Sequence, residues 1–248
     1  MIPKKLHYCW FGPNQKTKIF EECLLSWKKY CPDFEIIEWN ESNTKHIKSP
    51  FFNNALRKKK YAFAADYIRT KVLCEQGGIY LDTDMLLLKP INDLLKFDFF
   101  TGEEVKGRVA FGFYGAKPQN HLLKIMLQYY ENNYFNSFSP PVITHTFINL
   151  LKFENLNENE IIFPPEIFYP LPYELKNEDY REYISNISYA VHLWDHSWEI
   201  EKNEETMMSL LRKMFTVFID FFIYRYPYVY FKRYTKEFGR KLYQNLIK

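Results

Sequence analysis

Segments with the residue pattern of strands alternate with segments of helical periodicity from the N terminus onward. The run "IPKKLHYCWFG" (residues 2–12) is strand-like and ends at a glycine. "TKIFEECLLSWKKYCP" (residues 17–32) places apolar residues on one helical face and ends at a proline, and "FEIIEWN" (residues 34–40) predicts a second strand. This β-α-β order favours an α/β sheet covered by helices.

The same alternation continues through the next hundred residues. A helix is predicted from about residue 53 to 76, with Gly77 at its C-cap. The runs "IYLDTD" and "MLLLKPI" (residues 79–91) predict strands, followed by a further strand in "RVAFGFYGAKP" (residues 108–118) and a helix in "HLLKIMLQYYENN" (residues 121–133). The predicted fold class is therefore α/β, with a mixed sheet flanked by helices.

Composition limits the class of protein. The 248 residues are 47% hydrophobic and 25% charged, which is ordinary for a globular chain. The four cysteines are irregularly spaced without a C-x-x-C pair, and no basic-then-apolar leader begins the sequence, so a reduced, cytoplasmic protein is expected. No apolar stretch approaches the roughly 20 residues of a membrane span.

Two aspartates separated by one residue, Asp82 and Asp84, follow the apolar run of a predicted strand. On an extended segment, carboxylates two residues apart point to the same side. Oxygen ligands of this kind suit Mg²⁺ or Mn²⁺, and such ions stabilise the charge of a departing diphosphate. The alternative is a solvated turn, in which aspartates are common.

The longer run "AFAADYIRTKVLCEQGGIYLDTDM" (residues 62–85) resembles the central motif of the D-x-D glycosyltransferases of family 32, which are related to the glucosyltransferase core of the large clostridial toxins. "IPKKLHYCWFG" is similar to the opening strand of that family, and "AVHLWDHSW" (residues 190–198) to its closing element. The resemblance covers about residues 1–200. It implies the GT-A fold, a Rossmann-like nucleotide-sugar-binding domain, and a bacterial capsular or surface polysaccharide enzyme.

The resemblance also implies roles for five residues. Asp84 would bind the metal directly, whereas Asp82 would contact the ribose or donor sugar and reach the metal through water. Asp66 and Arg69, one helical turn apart, would face the donor sugar and diphosphate, with an ordinary i,i+3 ion pair as the alternative. Trp10 would stack on the uracil of a UDP-sugar, unless it is a core residue.

The closing element supplies the remaining candidates. By resemblance, His192 would be a metal ligand, and Ser197 and Trp198 would lie against the diphosphate. The pair Asp195-His196 departs from the small residues expected in the family. The choice between His192 and His196 as the metal ligand therefore stays open.

Residues 201–248 differ in character from the rest and predict a basic, aromatic, helical extension. From residue 206 to the end, nine Lys or Arg accompany two Asp or Glu, a balance of +7, against −4 for the preceding residues. Such a segment fits an anionic membrane surface or a homo-oligomer contact. Nucleic acid is not expected as a partner because no reader motif is present and the remainder is acidic.

The sequence thus predicts a retaining, metal-dependent hexosyltransferase that uses a UDP-sugar with Mn²⁺ or Mg²⁺. Asp82, Asp84 and Arg69 would serve the reaction, and no side-chain nucleophile is needed. The acceptor would be a glycan or lipid-linked saccharide of surface polysaccharide synthesis, with the protein peripheral on the inner face of the plasma membrane. The alternatives are a non-catalytic membrane-associated scaffold and a metal-dependent nucleotidyl- or phosphotransferase.

Overall fold

A computed structural model describes residues 1–135, 142–151, 155–195, 207–223 and 228–246. The chain divides into two compact units. The first comprises Met1–Asn133 and Val142–Ser197, and the second comprises Tyr134–Pro141 and Trp198–Lys248.

The first unit is built on a six-stranded sheet with the order β2-β1-β3-β6-β5-β7, and β4 and β8 form a separate two-stranded sheet. Strand β1 is parallel to both of its neighbours, and β5 is parallel to β7, whereas β6 is antiparallel to β3 and β5. The strands are β1 (Lys5–Cys9), β2 (Glu35–Trp39), β3 (Gly78–Leu81), β4 (Met85–Leu87), β5 (Phe99–Val105), β6 (Arg108–Ala116), β7 (Glu160–Phe163) and β8 (Ala190–His192). The predicted mixed α/β fold class is confirmed.

Helices flank this sheet. They are α1 (Lys18–Tyr30), α2 (Pro50–Arg57), α3 (Tyr61–Gln76), α4 (His121–Glu131), α5 (Ile143–Leu151) and α6 (Pro165–Phe168). Helix α1 begins at an N-cap threonine, Thr17, whose hydroxyl accepts a hydrogen bond from the Phe20 amide. It buries Trp27 completely, and the Trp27 indole donates to the Met85 carbonyl at 2.8 Å. The first helix is thereby fixed to β4, directly after the aspartate pair.

The single helix predicted over residues 53–76 is wrong, because the chain contains two helices there. Lys59 has a φ of 54°, and the Lys59 and Lys60 amides donate to the carbonyls of Leu56 and Ala55. These two bonds form a Schellman motif, which ends α2 and allows α3 to start in a new direction. The end of α2 could not be predicted from the sequence, because a lysine, not a glycine, occupies the left-handed position.

The extended geometry expected for the aspartate pair is also wrong. Strand β3 ends at Leu81, and the Met85 amide donates to the Asp82 carbonyl at 3.0 Å, which closes a tight turn before β4. The two carboxylates therefore lie on a turn between two strands. The segment is therefore a turn, and a turn can also carry the side chains of a functional site.

The described residues of the second unit form two helices, α7 (Met207–Phe222) and α8 (Tyr228–Leu246). They pack through aromatic rings: the Phe231 ring lies 4.5 Å from that of Phe221 and 5.6 Å from that of Phe218, measured between centroids. Val217 is buried in the same cluster. Across the described parts of the chain, no helix combines the length and apolar character needed to cross a membrane.

Candidate active site

The candidate residues gather at one edge of the main sheet. Because β1 and β3 run parallel, their carboxyl ends meet at the same edge. Trp10 follows β1 and Asp82 follows β3, so the sheet itself brings these two positions together. Ligands of α/β sheets bind at such edges.

A glycine pair connects α3 to β3. Gly77 lies at the C-cap with a φ of 65°, and Gly78 has a φ of 115°. A Cβ on Gly78 would stand 2.9 Å from the His7 Nε2 atom and from the Lys5 carbonyl, so a larger residue does not fit against the neighbouring strand β1. The glycine pair joins α3 directly to β3, and the Arg69 guanidinium lies over the ring of Tyr80 on that strand.

Arg69 is the centre of the first charged pair. It is 7% exposed, and its Nη2 atom lies 3.1 Å from Asp82 Oδ1. Its Nη1 atom donates to the Phe111 carbonyl at 3.0 Å, and its guanidinium lies 4.4 Å from the centroid of the Tyr80 ring. Burial alone would lower the pKa of Arg69, but Asp82 and its other neighbours raise it above its ordinary value. Arg69 is therefore a fixed cation beside a carboxylate.

Asp66 lies on the same face of α3, as the one-turn spacing predicts. Its Oδ1 atom is 3.5 Å from Arg69 Nε, which is buried and makes no hydrogen bond within the described chain. Burial raises the pKa of Asp66 to about 7; Arg69 opposes the rise and Asp82 adds to it. At neutral pH this carboxyl can both donate and accept hydrogen bonds, which suits a group that contacts sugar hydroxyls.

Asp82 bridges these groups and remains reachable. Its side chain is 29% exposed, and it accepts a hydrogen bond from the Tyr80 hydroxyl at 3.2 Å. Its amide donates to the Gly112 carbonyl on β6 at 2.7 Å. The carboxylate is thus held by Arg69 and Tyr80, and the backbone by β6, while part of the side chain stays exposed.

Asp84 and His192 form the second charged pair. In the two-stranded sheet Met85 lies opposite His192, and the Leu193 amide donates to the Asp84 carbonyl at 2.9 Å. The His192 Nε2 atom lies 3.0 Å from Asp84 Oδ1, and the two side chains are 14% and 13% exposed. Burial opposes both charges, but mutual attraction lowers the pKa of Asp84 and raises that of His192.

Asp195 orients this pair. Its amide donates to Asp84 Oδ2 at 3.0 Å, and its carboxylate accepts a hydrogen bond from the Thr17 hydroxyl at 2.7 Å. Thr17 also caps α1, so the segment after β8 is tied to the start of that helix. The residue that departs from the family pattern therefore has a structural partner.

The second pair fits a divalent cation. Imidazole nitrogen and carboxylate oxygen are both ligands of divalent cations. His192 Nε2 and Asp84 Oδ1 lie 3.0 Å apart, in hydrogen-bond contact, so both could bind one ion once the shared proton is lost. The other ring nitrogen of His192, Nδ1, is buried and has no hydrogen-bond partner in the described part of the chain. No group of three His, Cys, Asp or Glu side chains is assembled among the described residues, so further ligands would have to come from phosphate oxygens and water.

Of the remaining candidates from the sequence, Trp10 lies within the described residues and three others do not. Trp10 is partly buried beside the Phe20 ring, and its indole donates to the Asn14 carbonyl at 3.1 Å. It therefore combines a core contact with an accessible part. His196, Ser197 and Trp198 lie outside the described residues.

Sequence reasoning missed the residues beneath Asp82. A Cβ on Gly112 would stand 2.8 Å from Asp82 Oδ2 and 3.2 Å from the Tyr169 hydroxyl. The Tyr169 hydroxyl accepts a hydrogen bond from the Phe113 amide at 2.9 Å. A strand glycine can mark such a close approach, but nothing in the sequence connects residue 112 with residue 82.

Two stretches of the chain match known protein families. Residues 17–101 match the family described as "Glycosyltransferase sugar-binding region containing DXD motif", and residues 116–217 match "Alpha 1,4-glycosyltransferase conserved region". The first region contains Asp66, Arg69, Asp82 and Asp84, and the second contains His192. The curated proteins to which this chain is similar are glycosyltransferases.

Three of these relatives illustrate the extent of the similarity. The chain is 24% identical over 170 residues to the lactosylceramide 4-alpha-galactosyltransferase of Pongo pygmaeus, which covers 60% of this chain and 75% of that protein. It is 25% identical over 148 residues to the human alpha-1,4-N-acetylglucosaminyltransferase, covering 54% of this chain and less than half, 42%, of the human protein. It is 27% identical over 218 residues to an uncharacterised glycosyltransferase of Acanthamoeba polyphaga mimivirus, covering 80% and 84% of the two chains.

Two solved structures are also similar. The PaToxG glycosyltransferase matches with a TM-score of 0.47 and 18% identity, over 61% of this chain and 70% of that one. A glycosyltransferase involved in glycosylation of the PBCV-1 major capsid matches with a TM-score of 0.48 and 12% identity, over 79% and 96% of the two chains.

Proposed function

We propose that this chain is a metal-dependent glycosyltransferase that moves a hexose from a UDP-sugar to a saccharide acceptor. The observation that carries the proposal is the pair of charge clusters on one turn. Asp82 is joined to Arg69 at 3.1 Å, and Asp84 to His192 at 3.0 Å. The two aspartates of one turn thus meet an arginine from α3 and a histidine from β8, and all four residues lie within regions matched by glycosyltransferase families.

Arg69 would serve the donor side. Its guanidinium is held by Asp82, the Phe111 carbonyl and the Tyr80 ring, so its charge is fixed beside the end of β3. Preorganised charge of this kind stabilises a developing negative charge more than a mobile side chain does. Asp66 would accept from and donate to sugar hydroxyls, and Asp82 would contact the ribose or sugar.

Asp84 and His192 would hold a Mn²⁺ or Mg²⁺ ion, which supplies Lewis-acid stabilisation of the departing diphosphate when bound. Asp195 would keep Asp84 Oδ1 directed toward that position by fixing Oδ2. Metal binding requires His192 to be unprotonated, so the ion would compete with the proton shared by the pair. Trp10, Ser197 and Trp198 would complete the donor site, with the indole of Trp10 stacking on the uracil.

The name of one relative, lactosylceramide 4-alpha-galactosyltransferase, supports a saccharide or lipid-linked acceptor. We propose a glycan or lipid-linked saccharide of surface polysaccharide synthesis as acceptor, with retention of anomeric configuration, as the sequence resemblance implies. Attack on the face from which the diphosphate departs needs no side-chain nucleophile, and a departing phosphate oxygen can take the acceptor proton.

Release of UDP from a panel of UDP-glucose, UDP-galactose and UDP-N-acetylglucosamine, with and without Mn²⁺, tests the proposal. The wild-type protein should release UDP from at least one donor and should melt at a higher temperature with UDP plus Mn²⁺. Asp84→Asn should lose at least about 100-fold in rate while remaining folded, since one direct metal ligand is weakened. Asp179→Asn, an exposed aspartate paired with Arg181, is the matched control and should retain activity.

Three outcomes would contradict the proposal. Full UDP release by the Asp84→Asn variant in the presence of EDTA would contradict the proposal that Asp84 binds a metal ion needed for transfer. Release of pyrophosphate, or transfer of a phosphate, would indicate a nucleotidyl- or phosphotransferase. The absence of any thermal shift with UDP, GDP or CMP sugars would favour a non-catalytic scaffold.

A further inference from the structure

The second unit exposes a continuous apolar stripe along α7. Six apolar side chains of this helix are 39–66% exposed, and at 100° per residue they fall within an arc of about 100°. They are Met207, Met208, Leu211, Phe215, Phe218 and Phe222. Leu210 and Val217, by contrast, lie on the opposite side of the helix and are buried. Phe218 and Phe222 of this stripe also lie near the Phe231 ring of α8, with centroids 5.6 Å and 6.4 Å away, yet they stay 41% and 59% exposed. An exposed apolar stripe of this kind indicates an interaction surface.

The neighbouring helix α8 exposes a basic face. Lys232, Lys236 and Arg240 follow at four-residue intervals and are exposed, with Tyr228 and Tyr243 exposed near the two ends of the helix. The opposite face of α8 carries Phe231 and Phe238, which pack against the Val217 cluster. The pair of helices therefore offers both an apolar stripe and a cationic surface.

We propose that this helical pair docks onto an anionic lipid surface, with the α7 stripe inserted among the lipid chains and the α8 lysines and arginine facing the headgroups. Apolar aromatic side chains bind the boundary between headgroups and acyl chains, and basic residues add attraction to anionic lipids. The local charge supports a lipid occupant over a second copy of the chain. Residues 206–248 carry a balance of +7, so two such surfaces would repel each other at close range.

Vesicle co-sedimentation of the full chain tests the docking surface. Phosphatidylcholine vesicles that contain phosphatidylglycerol should pellet the wild-type protein, and vesicles of phosphatidylcholine alone should pellet much less. Lys232→Gln and Lys236→Gln should each weaken binding to the anionic vesicles by about fivefold. Raising the salt concentration should also weaken binding to the anionic vesicles, because salt screens exposed charges.

The apolar stripe is tested separately. The double variant Phe215→Ser, Phe222→Ser removes two rings that are 66% and 59% exposed, and should weaken binding to anionic vesicles at least about tenfold. Leu25→Ser on α1 of the first unit is the matched control, because Leu25 is 65% exposed but belongs to no such stripe. Its binding should equal that of the wild type. Melting temperatures by circular dichroism should stay close to that of the wild type, since every altered side chain is exposed. Any small fall is expected in the double variant, because the Phe222 ring also contacts those of Phe218, Phe221 and Phe231.

Two results would overturn the inference. The first is a wild-type chain that fails to pellet with anionic vesicles at low salt. The second is a stable dimer, by light scattering, that becomes monomeric in the Phe215→Ser, Phe222→Ser variant without any change in vesicle binding. That result would assign the stripe to a second copy. Neither depends on glycosyl transfer, so the docking surface and the proposed activity can fail independently.

Discussion

Replacing Gly112 with alanine should damage the donor site without changing any charged residue. A Cβ at this position would stand 2.8 Å from Asp82 Oδ2, whereas ordinary contacts begin near 3.4 Å. The backbone of Gly112 is held by the sheet, and its carbonyl accepts the Asp82 amide. The carboxylate must therefore retreat by roughly 0.6 Å, the difference between those two distances.

The displacement of the Asp82 carboxylate would weaken its charge-assisted hydrogen bond with Arg69. Asp82 Oδ1 lies 3.1 Å from Arg69 Nη2, and such bonds contribute about 1.5–3 kcal/mol. Losing about half of that in the transition state corresponds to roughly a tenfold fall in kcat/KM for the donor. The free energy of unfolding should change by less than about 1 kcal/mol, because the displaced group is a partly exposed carboxylate and can move toward solvent.

The assay is UDP release over a range of donor concentrations, combined with urea unfolding. Gly239→Ala is one control: a Cβ there meets no atom within 4 Å, so both activity and stability should be retained. Gly102→Ala is the other, because its Cβ would stand 2.7 Å from the Phe168 ring in the core. It should lose about 1–3 kcal/mol of stability with little loss of activity per folded molecule. A Gly112→Ala protein with wild-type kcat/KM would refute the reasoning that Asp82 must occupy its observed position.

Two further predictions concern stability. Burial lowers the pKa of His7 to about 4 from an ordinary value near 6.5, so on acidification the unfolded chain takes up this proton first. The free energy of unfolding should therefore fall by about 3 kcal/mol between pH 6.5 and pH 4. In urea unfolding, the His7→Gln variant should lack this pH-dependent fall. An identical pH dependence in both proteins would contradict the lowered pKa of His7. The Thr17–Asp195 hydrogen bond should give a coupling energy of about 1 kcal/mol in a double-mutant cycle of Thr17→Val and Asp195→Ala measured by urea unfolding. Strict additivity would mean that the bond does not stabilise the fold.

The order of strands and helices was predictable where an element has a clear period and clear ends, as for β1, α1, β2, β3 and α4, whereas α5, β7 and α6 were not predicted. Helix α1 ends one residue before Cys31-Pro32, and Gly77 ends α3. The break between α2 and α3 was not predictable, since a lysine adopts the left-handed conformation that sequence rules assign to glycine. Tertiary packing, not local preference, decides that position.

For the candidate site, the sequence identified the charged residues but not their pairing. Asp66 and Arg69 were placed together by helical spacing, a local rule. The pairing of Asp84 with His192 is imposed by the register of β4 against β8, which no local pattern encodes. The roles of Gly112 and Tyr80 depend on the distances between neighbouring strands and on α3 lying above them, and these exist only in the folded chain.

The separation along the chain of the partners in each pair has a consequence for biosynthesis. Arg69 and Asp82 are 13 residues apart on one helix, one glycine turn and one strand, whereas Asp84 and His192 are 108 residues apart. The first pair also needs β6, whose Phe111 carbonyl accepts from Arg69. The second cannot exist until β8 has been synthesised, so a nascent chain contains every residue that holds the Arg69–Asp82 pair well before it can complete the Asp84–His192 pair.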